Sequence, residues 1–488
     1  MQNSIKASQL AELVEGRLYG EDINLNGLFT FLNKASENDI VIRHWINAKG
    51  IQIASDKNVS CIITQNPQDG AIEEAEKLHM ALIVTQKIEL ATAYAIKTTV
   101  DDYASDSFKM AVTGTNGKST TSHLLYTIFN DLGFNTYTNT DAESEGNTLI
   151  DPRVAVELAD YYKANGKVDA ISLEVSEVQG WDDRIMKNHA YQMISALNTD
   201  VSIITNASAD HMNLVESFDD LLNEIGGAAR ALLNTDKKSL LVLNYDDENI
   251  RKMASIVENH PNITVMYFGE YSDEIDLDIC YKENDAIYAG NQAYIKYEDL
   301  PFTSKHFIQD IMAAIAVCVY KQLNQEKVVE SLSNYKALSR RFIKLMENPV
   351  VIDDFAHNPS GIKLTIENGA KLGKNLFVVD AIRGSRGDDI NKQIACALVE
   401  SLSKEENYVL FLTCSRDVVN ELNTVLDSEL DIFTRVLDEN DIKYTLFDNL
   451  EESLLTVIDT ADDDDVILLL GAQGMDPASR LLKKNDII

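Results

Sequence analysis

The chain has 488 residues, 45% of them hydrophobic and 25% charged, and its 43 Lys and Arg against 78 Asp and Glu give a net charge of −35. At roughly 100–200 residues per domain the length suggests about three domains, and no apolar run approaches the ~18 residues that a membrane span needs. So acidic a balance argues against nucleic-acid backbones and anionic membranes as partners, and any anionic substrate would need local basic groups.

The opening stretch "MQNSIKASQLAELVEG" lacks the basic start and apolar core of a secretory signal, so a cytoplasmic protein is expected, with monomer as the default state. Cys61, Cys280, Cys318, Cys396 and Cys414 form no C-x-x-C pair, which argues against a zinc ribbon or a disulfide framework and for reduced, mostly buried thiols. Residues 1–107 mix a helix-like start with short apolar runs, "VSCIIT" (59–64) and "ALIVT" (81–85), and read as a small α/β domain ending at the acidic "DDYASDS". From 108 the pattern is strand then helix: "FKMAVTG", "DAISLEV" (169–175), "VSIITN" (201–206), "SLLVLN" (239–244) and "ITVMYFG" (263–269). Continuous apolar strands alternating with helices predict a doubly wound, mostly parallel sheet covered on both faces. A β-rich segment (276–298) and a helix (306–323) complete this central domain, taken as 108–337. After "NYKALSRRF" the alternation resumes at 349–356, 375–381, 407–414 and 465–472, predicting a second Rossmann-like α/β domain over 338–488. The run "ADDDDV" (461–466) reads as a charged loop before a strand.

Within the central domain, "AVTGTNGKSTTSHLL" (111–125) places Gly114, Thr115, Asn116, Gly117, Lys118, Ser119 and Thr120 between a strand and a helix. Glycines let backbone N–H groups close around phosphate oxygens, the helix N-terminus adds partial positive charge, Lys118 reaches terminal phosphates and the Ser119 hydroxyl can ligate Mg²⁺. Val112 stands where the full phosphate-loop pattern has glycine, so the match is to a shorter G-x-x-G-K-[ST] form. "SLEVSE" (172–177) and "ITNASADHMN" (204–213) each fall at the C-terminal end of a predicted parallel strand, the edge where doubly wound sheets bind ligands. Glu174 or His211 alone would suit a turn contact. As a set with Lys118 they point to metal ions bridging phosphates.

These motifs, with "LNYDDEN" (243–249), "SRRF" (339–342) and "DDFAHNP" (353–359) in this order, resemble the Mur ligases, relatives of folylpolyglutamate and cyanophycin synthetases. The resemblance covers the central and C-terminal domains and is loose over the first ~107 residues. It implies ATP- and Mg²⁺-dependent amide-bond formation: an acceptor carboxylate attacks the γ-phosphate to give an acyl phosphate, and the amine of an amino acid displaces phosphate. It also implies roles: Lys118 and Mg²⁺ on Ser119 and Glu174 neutralise phosphate charge, His211 holds a second Mg²⁺, Arg341 meets the γ-phosphate, Asp354 the ribose, and His357 and Asn358 the nucleotide cleft. With these groups on another domain, the resemblance implies that activity requires closure over ATP.

The chain also departs from the family. Where many members carry a carbamylated lysine it has Ile225, with Glu224 beside it as a candidate carboxylate. The family's "HNVQN" becomes "HFIQD" (306–310), keeping His306 but replacing two asparagines with Phe307 and Asp310, which leaves Asn244 as a base contact. "TCSRDV" (413–418) and "GAQGMD" (471–476) stand for the turns that read diaminopimelate in the bacterial enzyme, leaving Arg416 and Asp476 as amino-acid contacts, and "AIRGSRGDD" (381–389) offers Arg386 and Asp388. "LFTFLNKASENDIVI" (28–42) lacks the Asp-Ser-Arg element that holds the uridine nucleotide, so a different nucleotide-linked acceptor is expected; the combination looks like archaeal pseudomurein peptide ligases. The expected substrates are a nucleotide-linked peptide and an amino acid. Two alternatives stay open: a folylpolyglutamate- or cyanophycin-type ligase, against which the N-terminal domain counts, and a non-catalytic ATP-binding ligase-like subunit, against which the retained motif residues count.

Overall fold

The computed structural model describes residues 4–140, 152–181, 184–208, 214–273 and 275–488, and these divide into two compact units, the described residues of 4–207 with those of 214–335, and Ser208 with 336–488. Both are α/β, with mostly parallel sheets.

In the first unit, described strands Gly16–Tyr19, Ala81–Thr85, Cys61–Pro67, Ile40–Ile46 and Phe29–Thr30 form a sheet in that order, parallel except at Gly16–Tyr19. One face packs Leu10, Ile40, Ile63, Ile83 and Ile88 into a core that also takes in Ala155 and Met186, and the other packs Ile51, Ile62 and Leu82. The first hundred residues therefore share apolar burial with the region that follows them.

The larger sheet of this unit runs Gln292–Lys296, Ala286–Ala289, Ile279–Lys282, Ile263–Glu270, Ser239–Asn244, Val201–Ile204, Phe108–Thr113, Ala170–Glu174, Thr136–Thr138. From Ile279–Lys282 to Thr136–Thr138 every pairing is parallel; the last hairpins are antiparallel. Residues of 201–204 and 239–244 are all buried, as a sheet covered on both faces requires, which is why these strands read as unbroken apolar runs. Phe108–Thr113 lies between Ala170–Glu174 on one side and Val201–Ile204 on the other. The strands that follow it first, Thr136–Thr138 and Ala170–Glu174, lie on one side and the later ones from Val201–Ile204 on the other, so strand order reverses around it, the switch point where such sheets open a crevice.

The second unit has one sheet in the order Ile343–Glu347, Val350–Asp354, Val466–Leu470, Leu376–Ala381, Tyr408–Thr413, Tyr444–Phe447, parallel except at Ile343–Glu347. One face buries Val378, Leu398, Leu412, Phe433 and Leu468; the other buries Val379, Phe411, Leu454, Leu469 and Leu482. Ile343–Glu347 is an edge strand with a register shift between Lys344 and Met346, and the apolar-run reading did not reveal it. The acidic run is indeed a loop ahead of Val466–Leu470, but Asp465 is buried and accepts from Asp462 N, Asn375 N and Asn375 Nδ2 (2.9, 3.2 and 2.7 Å). Cys61, Cys280, Cys318 and Cys414 are buried free thiols and Cys396 is exposed. Among the described residues no helix is long and apolar enough to cross a membrane.

Candidate active site

The strand Phe108–Thr113 turns at Gly114 (φ +120°) and again at Gly117 (φ +82°), left-handed conformations that favour glycine. Space forces the same choice: a Cβ at Gly114 would collide with Thr205 Oγ1, and one at Gly117 with Asp310 Oδ1. The loop is stitched to the neighbouring strand end. Thr115 N donates to Asn206 O (2.9 Å), Asn116 N to Asn206 Oδ1 (3.0 Å), and Asn116 O accepts from Thr205 Oγ1 (2.6 Å) and Asn206 Nδ2 (3.0 Å). The helix Lys118–Asp131 then begins with no side-chain N-cap, so its positive end is left for an anion.

Lys118 Nζ donates to Gly114 O (2.7 Å), Thr115 O (2.9 Å) and Glu177 Oε2 (3.0 Å). Parallel register sets Glu174 beside Val112, and the buried Ser119 Oγ donates to Glu174 Oε1 (2.9 Å). Asn139 fixes the Glu174 backbone from both sides, accepting from Glu174 N (2.8 Å) and donating to Glu174 O (3.0 Å). Glycines that no Cβ can replace and an uncapped helix end fit a polyphosphate, and the hydroxyl–carboxylate pair fits a hard cation that takes oxygen ligands. Thr120 is buried in the first turn. His211 lies outside the described residues.

Other candidates in this unit have internal partners. Asn244 is buried at the end of its strand and closes its own turn by accepting from Asp246 N (3.0 Å). His306 Nε2 lies 3.4 Å from Ser304 Oγ. Phe307 is buried against Phe302 and Tyr335, while Asp310 backs Gly117 and accepts from Thr121 Oγ1 (3.3 Å). Both replacements in "HFIQD" are thus absorbed into packing and support of the phosphate loop. Glu224 is buried on the helix Phe218–Ala231, near the backbone N–H groups of Asn188 and His189 at the start of the helix His189–Leu197. Burial pushes its carboxyl up, those two N–H groups pull it back, and Oε2 has no partner among the described residues. Ile225 is fully buried.

In the second unit, Arg341 lies over the Phe355 ring (4.7 Å) and donates to Arg340 O (3.1 Å). Asp354 accepts from Phe342 N (3.0 Å) and from Thr365 Oγ1. His357 Nδ1 donates to Phe355 O (2.7 Å), and Asn358 caps the helix Pro359–Gly369 by accepting from Gly361 N (2.8 Å) and Ser360 Oγ (3.0 Å). Arg341, Asp354, His357 and Asn358 are therefore gathered at one strand end. Arg386 donates to Ser385 O (3.2 Å) and Asn423 Oδ1 (3.1 Å), Asp388 is exposed in the first turn of Asp388–Leu402, and Arg416 is exposed beside Asp448 (3.7 Å). Asp476 is ion-paired to Arg340.

Sequence reasoning missed four charged residues. Glu177, fully buried against Lys118, stands three residues after Glu174 in the same motif, a signal that was there to be read. Asp310 needed the fold to reveal its glycine neighbour. Arg340 immediately precedes Arg341. Glu429 leaves no local trace: it lies more than forty residues beyond the loop it holds, accepting from Ser385 N, Arg386 N and Gly387 N (2.9, 2.7 and 2.7 Å) and from Leu426 N (2.9 Å).

Comparison with known proteins bears directly on this geometry. Residues 112–318 match the Mur ligase middle domain, and residues 340–473 match the Mur ligase glutamate ligase domain. The chain belongs to the Mur ligase family. Members of that family are ATP-dependent, amide-bond-forming ligases. A curated relative, the UDP-N-acetylmuramate–L-alanine ligase of Ligilactobacillus salivarius (strain UCC118), is 26% identical over 274 residues, 55% of this chain and 53% of that one. The chain thus spans about half the length of the curated Mur ligases it matches first. In fold it is similar to MurF from Acinetobacter baumannii (TM-score 0.71, 16% identity, 99% of each chain). It is also similar to a pseudomurein peptide ligase type C from Methanothermus fervidus (TM-score 0.55, 18% identity, 91% of this chain and 100% of that one). The expected architecture, α/β with mostly parallel sheets, is the Mur ligase fold.

Proposed function

We propose that the chain is an ATP- and Mg²⁺-dependent ligase that joins an amino acid to a nucleotide-linked peptide precursor of murein or pseudomurein through an acyl phosphate. The observation that carries the reading is the phosphate loop with Lys118 and the Ser119–Glu174 oxygen pair on one strand edge. Membership of the Mur ligase family supports the reaction class.

In this reading Gly114–Thr120 wrap the phosphates, Lys118 neutralises the charge that builds as the γ-phosphoryl group moves, and Ser119, Glu174 and His211 hold Mg²⁺. Bound there, the cation would stabilise charge on the phosphate oxygens. Phosphoryl transfer is chiefly positioning and charge neutralisation, so little more is asked of this region. Arg341 acts on the terminal phosphate, and Asp354, His357 and Asn358 serve the nucleoside end. Domains at 1–107, 108–337 and 338–488 would serve acceptor, ATP and amino acid in turn, with Arg386, Asp388 and Arg416 the amino-acid contacts.

The test is phosphate release from ATP with a panel of amino acids and UDP-linked peptides. One acceptor–amino acid pair should stimulate release well above background, and Lys118→Ala should abolish that stimulation. No stimulation by any pair, together with no effect of Lys118→Ala, would overturn the proposal.

A further inference from the structure

Arg341 sits between two residues in the left-handed region, Arg340 at φ +60° and Phe342 at φ +53°. For non-glycine residues that conformation is costly and persists where surrounding contacts over-determine it. Here they do. Phe342 N is held by Asp354 Oδ1 (3.0 Å), and Arg340 O accepts from Phe355 N (2.9 Å).

The Arg340 side chain is 4% exposed, and all three of its nitrogens donate. Nε donates to Asp353 Oδ1 (3.2 Å), Nη2 to Gly471 O (2.6 Å), and Nη1 to Ala472 O (3.1 Å) and to Asp476 Oδ1. Its plane also lies over the Phe355 ring that carries Arg341 on the same side chain. One buried guanidinium thus ties the strand Val350–Asp354, the loop 471–476 and the backbone flanking Arg341 to a single point. A lysine could not copy this, because an ammonium lacks the planar five-donor fork.

We infer that Arg340 is a positioning residue that, through Asp353, Asp476 and the carbonyls of Gly471 and Ala472, holds the left-handed backbone presenting Arg341 to the terminal phosphate of the nucleotide. The inference rests on the reading of Arg341 as a terminal-phosphate contact. It gives Asp476 a duty within the chain: it completes the cage around Arg340. The loop 471–476 is thereby mechanically joined to the phosphate-sensing arginine.

The experiment compares affinities for Mg²⁺–ADP and for Mg²⁺–AMPPNP, a non-hydrolysable ATP analogue, by titration calorimetry. It uses the full chain and the variants Arg341→Ala, Arg340→Lys, Asp476→Asn and Arg340→Lys/Arg341→Ala, with thermal unfolding of each. The ratio of the two affinities isolates the terminal phosphate. Arg341→Ala should shift the ratio against AMPPNP by about tenfold, the scale of one charge-assisted hydrogen bond. Arg340→Lys and Asp476→Asn should shift it in the same direction with ADP affinity unchanged, and the double variant should go no further than Arg341→Ala. If Arg341→Ala shifts the ratio while Arg340→Lys and Asp476→Asn lower only the unfolding temperature, Arg340 is merely structural and the inference is overturned. If Arg341→Ala leaves the ratio unchanged, the underlying reading of Arg341 fails instead. Should Arg340→Lys not fold, Asp476→Asn, which alters one partly exposed partner, decides the matter by the same ratio.

Discussion

Two loops of this chain, 114–119 and 383–388, have the same local design: a buried parallel strand, a glycine-bearing turn and a helix start. They differ in who occupies the turn. In the first, the Asn206 carbonyl and the side chains of Thr205 and Asn206 brace the loop from outside, and the helix Lys118–Asp131 begins without a side-chain cap. In the second, the buried carboxylate of Glu429 accepts from the backbone N–H groups of Ser385, Arg386 and Gly387. A ring of N–H groups is an anion site by construction. Whether it can serve a ligand depends on whether the chain has already filled it: the second loop holds an internal anion, whereas the helix start of the first carries no side-chain cap.

The largest expected effect tests the first half of that contrast. Lys118→Ala should lower ligation turnover by roughly 10²–10³-fold, the usual scale for removing one preorganised charge-stabilising donor, measured as phosphate release. A modest loss would mean that the loop is not the phosphate site. Next, Glu429→Ala should destabilise the second unit by roughly 3 kcal/mol, since charge-assisted hydrogen bonds contribute ~1.5–3 kcal/mol each and water regains part of the loss. The vacated N–H groups should then make thermal stability rise with added sulfate, by ordinary binding linkage. Sulfate that stabilises the wild type equally would break the comparison.

A third prediction sharpens it with a carboxylate that lacks such a nest. Asp380 is the penultimate residue of the strand Leu376–Ala381 and is buried; burial pushes its carboxyl up to about 7, and Oδ2 has no partner among the described residues. Because the folded value lies above the unfolded one, the stability tied to its protonated form is present at low pH and lost as pH rises through about 7. Asp380→Asn should therefore raise the unfolding temperature at pH 8 by a few degrees, with the gain shrinking toward pH 4 in a calorimetric series. The smallest effect concerns a helix capped by its own side chain. Asn358→Ala should cost about 1 kcal/mol of stability, and Asn358→Asp should keep the cap. Equal losses in denaturant titrations would show that the cap is not the source.

Much of this was legible in the chain. Val466–Leu470 and Ser239–Asn244 are buried on both faces, so their apolar runs announced a covered parallel sheet before any coordinates. Lys118, Ser119 and Glu174 could be paired by motif order because the topology returns to the strand beside Val112. Partners remote in sequence were less visible. Glu429 reaches its loop from a later helix, and Asp310 acts on Gly117 through close packing, neither of which leaves a spacing to read. Asp465 shows the opposite error, an acid inside a solvent-like run that turns out to organise Asn375. The pairing of Asp476 with Arg340 was equally invisible, since a substrate contact and a structural counter-ion look alike in one dimension.

The apolar core beneath the strand Ile40–Ile46 also includes Ala155 and Met186. A graft that exchanges only the first 107 residues for those of another ligase would bring a foreign surface against these two side chains. Recombination of this region therefore has to carry the helix Arg153–Asn165 and the segment around Met186 with it, and the natural seam for chimaeras lies after Tyr335 instead. The first hundred residues and the region that follows them are in this sense inherited together.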